Sequence, residues 1–110
     1  MARPALEPFT TRDGSTIREY LHTAVQSLAE ATLASGQATE RHYHRVAEEI
    51  YVMLEGDGTM KVDGETCTLR PDEAVLIPAG AWHSIVAGPA GARFLCCCVP
   101  AYRHDDTFFA

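Results

Sequence analysis

The sequence predicts an all-β domain, a sandwich or barrel of short antiparallel strands. Three observations carry that expectation. Apolar and polar residues alternate with period two in "EIYVMLE" (49–55), Gly, Pro and Asp turn signals punctuate the chain every roughly eight to twelve residues, and helical periodicity is scarce. A sheet with one buried face requires that alternation, because successive side chains point to opposite faces.

Each element follows from local chemistry. "SLAEATL" (27–33) reads as a strand broken by Ser35-Gly36, and a hairpin with "QATERHYH" (37–44) is expected there. In 49–55, Ile50, Val52 and Leu54 share one face while Glu49, Tyr51 and Met53 share the other, and Gly56-Asp57-Gly58 supplies turn chemistry. Asp63-Gly64 between "TMKV" and "ETCTL" is the strongest hairpin signal, since both residues accept the positive φ that a tight turn needs. "EAVLIP" ends at the turn Pro78-Ala79-Gly80; "HSIVA" follows, then a loop at "GPAGA" and a strand at "RFLCCCV". A short helix is expected only at "TIREYLHTAVQ" (16–26), where Ile17, Tyr20, Leu21 and Val25 approach helical spacing.

With 110 residues the chain is expected to form one domain, 1–110, comprising an N-terminal arm (1–25), a β core (26–100) and a C-terminal tail (101–110). Hydrophobic residues at 46% and charged residues at 22% suit a folded soluble protein, and no apolar run approaches the ~18 residues of a membrane span. The net charge of -6, with nine Lys and Arg scattered along the chain, provides no basic stripe for phosphates, so no nucleic-acid partner is expected. The opening "MARPALEPFTTRDG" has neither an apolar core nor a small-residue cleavage site, and a cytoplasmic location is expected. Cys67 and the consecutive Cys96, Cys97 and Cys98 match no zinc or redox spacing and read as buried free thiols, with Cys96 and Cys98 facing one way and Cys97 the other.

The densest chemistry lies in "GQATERHYHRVAEEIYVMLEG" (36–56). His42 and His44, two apart on a strand, share a face and can reach one point. Arg45 to Glu48 turn the chain, Glu49 opens the next strand, and His83 stands after the Pro78-Ala79-Gly80 turn. Three imidazoles and one carboxylate suit a divalent iron, manganese, cobalt, nickel or zinc ion. On an octahedral ion this set leaves two positions open, whereas on tetrahedral zinc it fills the shell. An inward Glu49 without a cation would be costly to bury, and Glu48 is its outward neighbour. His22 and His104 fall outside the pattern.

These segments resemble the two motifs of the cupin superfamily. The first, G-x5-H-x-H-x3,4-E-x6-G, is met in full by Gly36, His42, His44, Glu49 and Gly56. In the second, G-x5-P-x-G-x2-H-x3-N, Pro78, Gly80 and His83 match, while Asp72 replaces the first Gly and Ala87 the Asn. Together with "PAYRHDDT" near the end, the chain is similar to small single-domain cupins that resemble mannose-6-phosphate isomerase. The resemblance implies a jelly-roll β-barrel with a metal held inside by His42, His44, Glu49 and His83, iron or manganese being favoured, and pairing of two chains into a homodimer. Tyr51, a polar-tipped residue on the ligand face, is the candidate catalytic proton donor or substrate contact.

A small-molecule substrate is expected, in a pocket lined by Met53, Tyr51 and Phe94. The family's range leaves three functions open. The first, favoured by the complete ligand set, is an oxygenase or related oxidoreductase using the two open metal positions. The second is a redox-neutral isomerase, lyase or decarboxylase using the ion as a Lewis acid, and the third a non-catalytic binding module.

Overall fold

A computed structural model describes all 110 residues. Nine strands are present: β1 (Phe9–Thr10), β2 (Thr16–His22), β3 (Ser27–Leu33), β4 (His42–His44), β5 (Glu48–Val62), β6 (Glu65–Leu69), β7 (Ala74–Ile77), β8 (His83–Val99) and β9 (Thr107–Phe109). A single 3-10 turn, His104–Asp106, precedes β9. No helix is long and apolar enough to cross a membrane.

The two long strands, β5 and β8, organise the fold because each belongs to both layers. The second half of β8 lies between β3 and the first half of β5, giving one layer in the order β1-β2-β3-β8-β5-β7. The first half of β8 lies between β4 and the second half of β5, giving the other layer as β9-β4-β8-β5-β6. All pairings are antiparallel, and the curled, two-layered sheet is the jelly-roll barrel expected from the sequence. Between the layers, Leu33, Met53, Met60, Ile77, Ile85 and Phe94 are almost fully excluded from water. Burial stabilises each by about 1.5–3 kcal/mol relative to exposure.

Both layer-crossing strands bend at glycine. On β5 the pairing register shifts between Gly56 and Gly58, and Gly56 has φ 72°; a Cβ there would collide with the carbonyl oxygen of Gly91 on β8. The turn expected at 56–58 is therefore a bulge inside one strand, and the loop expected at 88–92 is part of β8. The cross-strand partner overrides the local turn signal, since each segment is held by the bend of the other.

Two further expectations are corrected. Residues 16–22 form β2 rather than a helix, with a bulge between Glu19 and Leu21 where β2 pairs β3. That extra residue breaks the period of two and produces the helix-like spacing of Ile17, Tyr20 and Leu21. Nor do 27–33 and 37–44 form a hairpin: β3 pairs β2 and β8, while β4 pairs β8 and β9. The Asp63-Gly64 hairpin is present, with φ 48° and 83° at its two turn residues. Asp72, at the position where the cupin motif has Gly, adopts φ 69°, and its N–H donates to the Met53 carbonyl at 2.9 Å. Asp tolerates that conformation better than most residues, so the turn survives the substitution.

Strands β1 and β2 fall within the stretch read as an N-terminal arm, and β9 within the C-terminal tail. Of the cysteines, all free, Cys98 is buried, Cys96 and Cys97 are half-buried, and Cys67 is exposed. The expectation of burial fails at Cys67 because β6 is an edge strand.

Candidate metal centre

The four residues singled out by spacing converge between the layers. Glu49 comes from the first layer, where it pairs with Cys98 and Ile77, and the three histidines come from the second, where His42 pairs with His83. One ligand atom from each of His42, His44, Glu49 and His83 lies within 4.8 Å of all the others. His44, Glu49 and His83 are buried, and His42 is half-buried. The carboxylate oxygen Glu49 Oε1 sits 3.3 Å from His44 Nε2 and 3.5 Å from His83 Nε2.

The other ring nitrogens show which way the imidazoles are protonated. His42 Nδ1 lies 2.7 Å from the Glu40 carbonyl and His83 Nδ1 2.9 Å from the Ala81 carbonyl. A carbonyl only accepts, so both Nδ1 atoms carry protons and donate them. Neutral rings then present Nε2 lone pairs to one another and to the carboxylate. Accordingly Glu49 Oε1 and His83 Nε2 are buried without a hydrogen-bond partner. Acceptors facing acceptors in a buried site call for a cation at their centre, and the donor set fits a divalent metal ion.

The electrostatics agree. Burial pushes the Glu49 carboxyl up, and positive charge on His44 and His83 would offset it and hold it down at about 2; with both rings neutral, that stabilising charge falls to a cation at the centre. Burial and then the proximity of His83 lower His42 to about 4, leaving it neutral at pH 7. Burial, reinforced by the Glu49 charge, raises Tyr51, Cys96 and Cys98, so the phenol and both thiols stay protonated.

Tyr51 is buried on the ligand face, its ring 4.7 Å from Phe94 and edge-on to His83 at 6.1 Å. Met53 and Phe94 are core residues behind it. Trp82 is half-buried elsewhere, against Tyr43 and under the Arg41 guanidinium. His22 pairs with Glu19 at the surface and His104 is exposed, both outside the cluster.

Sequence reasoning passed over two residues that touch the ligands. The Cys98 thiol donates to Glu49 Oε2 at 3.2 Å, and the Thr107 hydroxyl lies 3.1 Å from His44 Nδ1. The alternation in "FLCCCV" set Cys98 on the face opposite Cys97 without saying which face is inner, and Thr107 carried no comparable signal.

Residues 29–98 match the family model described as the Cupin domain. The chain belongs to the cupin family. A relative from Methanocaldococcus jannaschii, the uncharacterized protein MJ1618, is 41% identical over 108 residues, covering 93% of this chain and 86% of the relative. The dimethylsulfoniopropionate lyase DddW of Ruegeria pomeroyi is 39% identical over 64 residues, 58% of this chain and 41% of DddW, so the chain spans less than half that enzyme's length. Among solved structures, KdgF from Halomonas sp. superposes with a TM-score of 0.83 at 20% identity, over 91% of this cupin and 90% of KdgF, a likeness of fold.

Proposed function

We propose that this cupin is a metal-dependent enzyme acting on a small molecule by redox-neutral chemistry, of the lyase or isomerase kind. The observation that carries the metal is the convergence of Nε2 lone pairs on the unpartnered Glu49 Oε1. The similarity of 64 residues to a lyase supports the reaction class. His42, His44, Glu49 and His83 would hold the ion, with iron or manganese favoured because a six-coordinate ion keeps two positions for substrate. When bound, such an ion supplies a Lewis acid that polarises a carbonyl or carboxylate oxygen. The chain's own residues do the rest. His42, the least buried ligand, marks the side from which substrate enters, and Phe109, 5.8 Å from it ring to ring, walls that approach. Met53 and Phe94 keep water from the opposite side. Tyr51 holds a proton on the ligand face and serves as its donor to a substrate atom.

An oxygenase is the second reading, favoured by the same two open positions on a six-coordinate iron. One experiment separates them. Protein reconstituted with manganese or iron is offered small carboxylates bearing a β leaving group, dicarbonyl compounds, phenols and sugar phosphates, in air and under nitrogen. Turnover is expected to persist under nitrogen, and turnover only in air would replace this reading with the oxygenase. A compound that raises the melting temperature but is not turned over by any metal form would mark the chain as a binding module.

A further inference from the structure

The family match ends at residue 98, yet a side chain beyond it contacts one of the candidate ligands. After β8 the chain returns to the edge of the second layer, where β9 pairs with β4 so that Thr107 stands opposite His44 and Phe109 opposite His42. Cross-strand partners share a face, which puts both residues on the inner, ligand side.

The three histidines differ in how their far nitrogens are held. His42 and His83 use backbone carbonyls two residues back in the chain, Glu40 and Ala81, contacts that no side-chain substitution removes. His44 depends instead on a side chain 63 residues away, the hydroxyl of Thr107 at 3.1 Å. A hydroxyl can donate or accept, so by itself it would leave the tautomer open. Here it does not, because Thr107 spends its one proton on the Arg103 carbonyl at 2.9 Å. Only an acceptor lone pair remains for His44, whose Nδ1 must therefore bring the proton. Nε2 is left bare and faces Glu49 Oε1 at 3.3 Å.

The neighbouring residue supports the same end of the site. Both carboxylate oxygens of Asp106 accept from the Val46 N–H, at 3.0 and 3.2 Å, and Oδ2 also accepts from the Ala47 N–H at 3.1 Å. The Arg45 N–H donates to the Asp106 carbonyl at 3.3 Å. These bonds hold the turn joining His44 to the strand that carries Glu49. The Tyr102 ring lies edge-on to His44 at 5.8 Å.

We propose that Thr107 is a positioning residue of the metal centre, and that the C-terminal segment carrying it is a working part of the site. The role rests on the metal reading above, but its effect on the His44 tautomer does not. Thr107→Val keeps the shape and loses the hydroxyl, whereas Thr107→Ser keeps the hydroxyl.

The test uses full-length protein and two readouts: 15N chemical shifts of the His44 ring in the metal-free state, and manganese affinity by competition with a chelator. The wild type is expected to show His44 protonated at Nδ1. Thr107→Val is expected to populate the other tautomer and to bind manganese about 10- to 100-fold more weakly, with Thr107→Ser close to wild type in both. A Thr107→Val protein with the wild-type tautomer and affinity would overturn the proposal. So would a Thr107→Ser protein as impaired as the valine variant, since packing would then be the cause. If the wild type takes up no manganese, iron or zinc, the metal reading falls, and the tautomer comparison still decides whether Thr107 sets the state of His44.

Discussion

Cys98 and Glu49 are cross-strand partners on β8 and β5, and the Cys98 thiol donates to Glu49 Oε2 at 3.2 Å. That contact occupies one carboxylate oxygen and leaves the other, Oε1, to the imidazoles. Cys98→Ala strands a buried carboxylate oxygen, so the metal-free protein is expected to lose about 1–3 kcal/mol. Cys98→Ser keeps a donor and should lose less. Urea unfolding of the two variants checks this, and equal stabilities would mean that the thiol contributes only volume.

Removing a ligand should have a larger and more specific effect. His44→Ala leaves two imidazoles and the buried Glu49 charge, so metal affinity is expected to fall by more than about 100-fold. The rise in melting temperature on adding metal to the wild type should vanish with it. Full metal occupancy in that variant, by elemental analysis, would remove His44 from the ligand set.

Asp13 ties the entry of the ligand strand to the β1–β2 turn. Its carboxylate accepts from the Ser15 N–H at 3.0 Å, from the Ser15 and Thr11 hydroxyls, and from the Glu40 N–H at 3.1 Å. Burial pushes the Asp13 carboxyl up, but these hydrogen bonds outweigh it and hold it below its ordinary 3.8. A folded value below the unfolded one means that the stabilisation is fully present above about pH 3.8 and is lost as pH falls through the folded value. Asp13→Asn is expected to destabilise the protein by about 1–2 kcal/mol at pH 7 and to flatten that acid loss. Thermal melts between pH 2 and 7 measure both effects.

The outer face of the first layer carries a row of cross-strand neighbours, Leu21, Leu28, Cys97, Ile50 and Leu76, running over five strands. Leu21, Ile50 and Leu76 are exposed. We expect two chains to pair through this face, burying the row, so light scattering at micromolar concentration should give twice the chain mass of 12.0 kDa. Ile50→Lys places a charge in the middle of the row and should return the protein to monomers. A wild-type mass of 12.0 kDa would rule out the pairing.

By itself the sequence determined the strand character of the chain, the inward face of residues 49 to 53, the Asp63-Gly64 hairpin and the four residues that meet at the centre. Those features are written within single strands or turns, as a period of two, a positive-φ pair, or histidines on one face. Tertiary structure alone decided the rest. The bulge in β2 disguised a strand as a helix because a shift of register is defined only against β3. The glycines of β5 and β8 read as turns one strand at a time and became bends when the two were paired. Thr107 and Cys98 contact His44 and Glu49 from 63 and 49 residues away, a distance closed only when burial of the core sets which strands pair. Spacing along the chain could name the ligands, but what holds each one in place depends on the neighbouring strand.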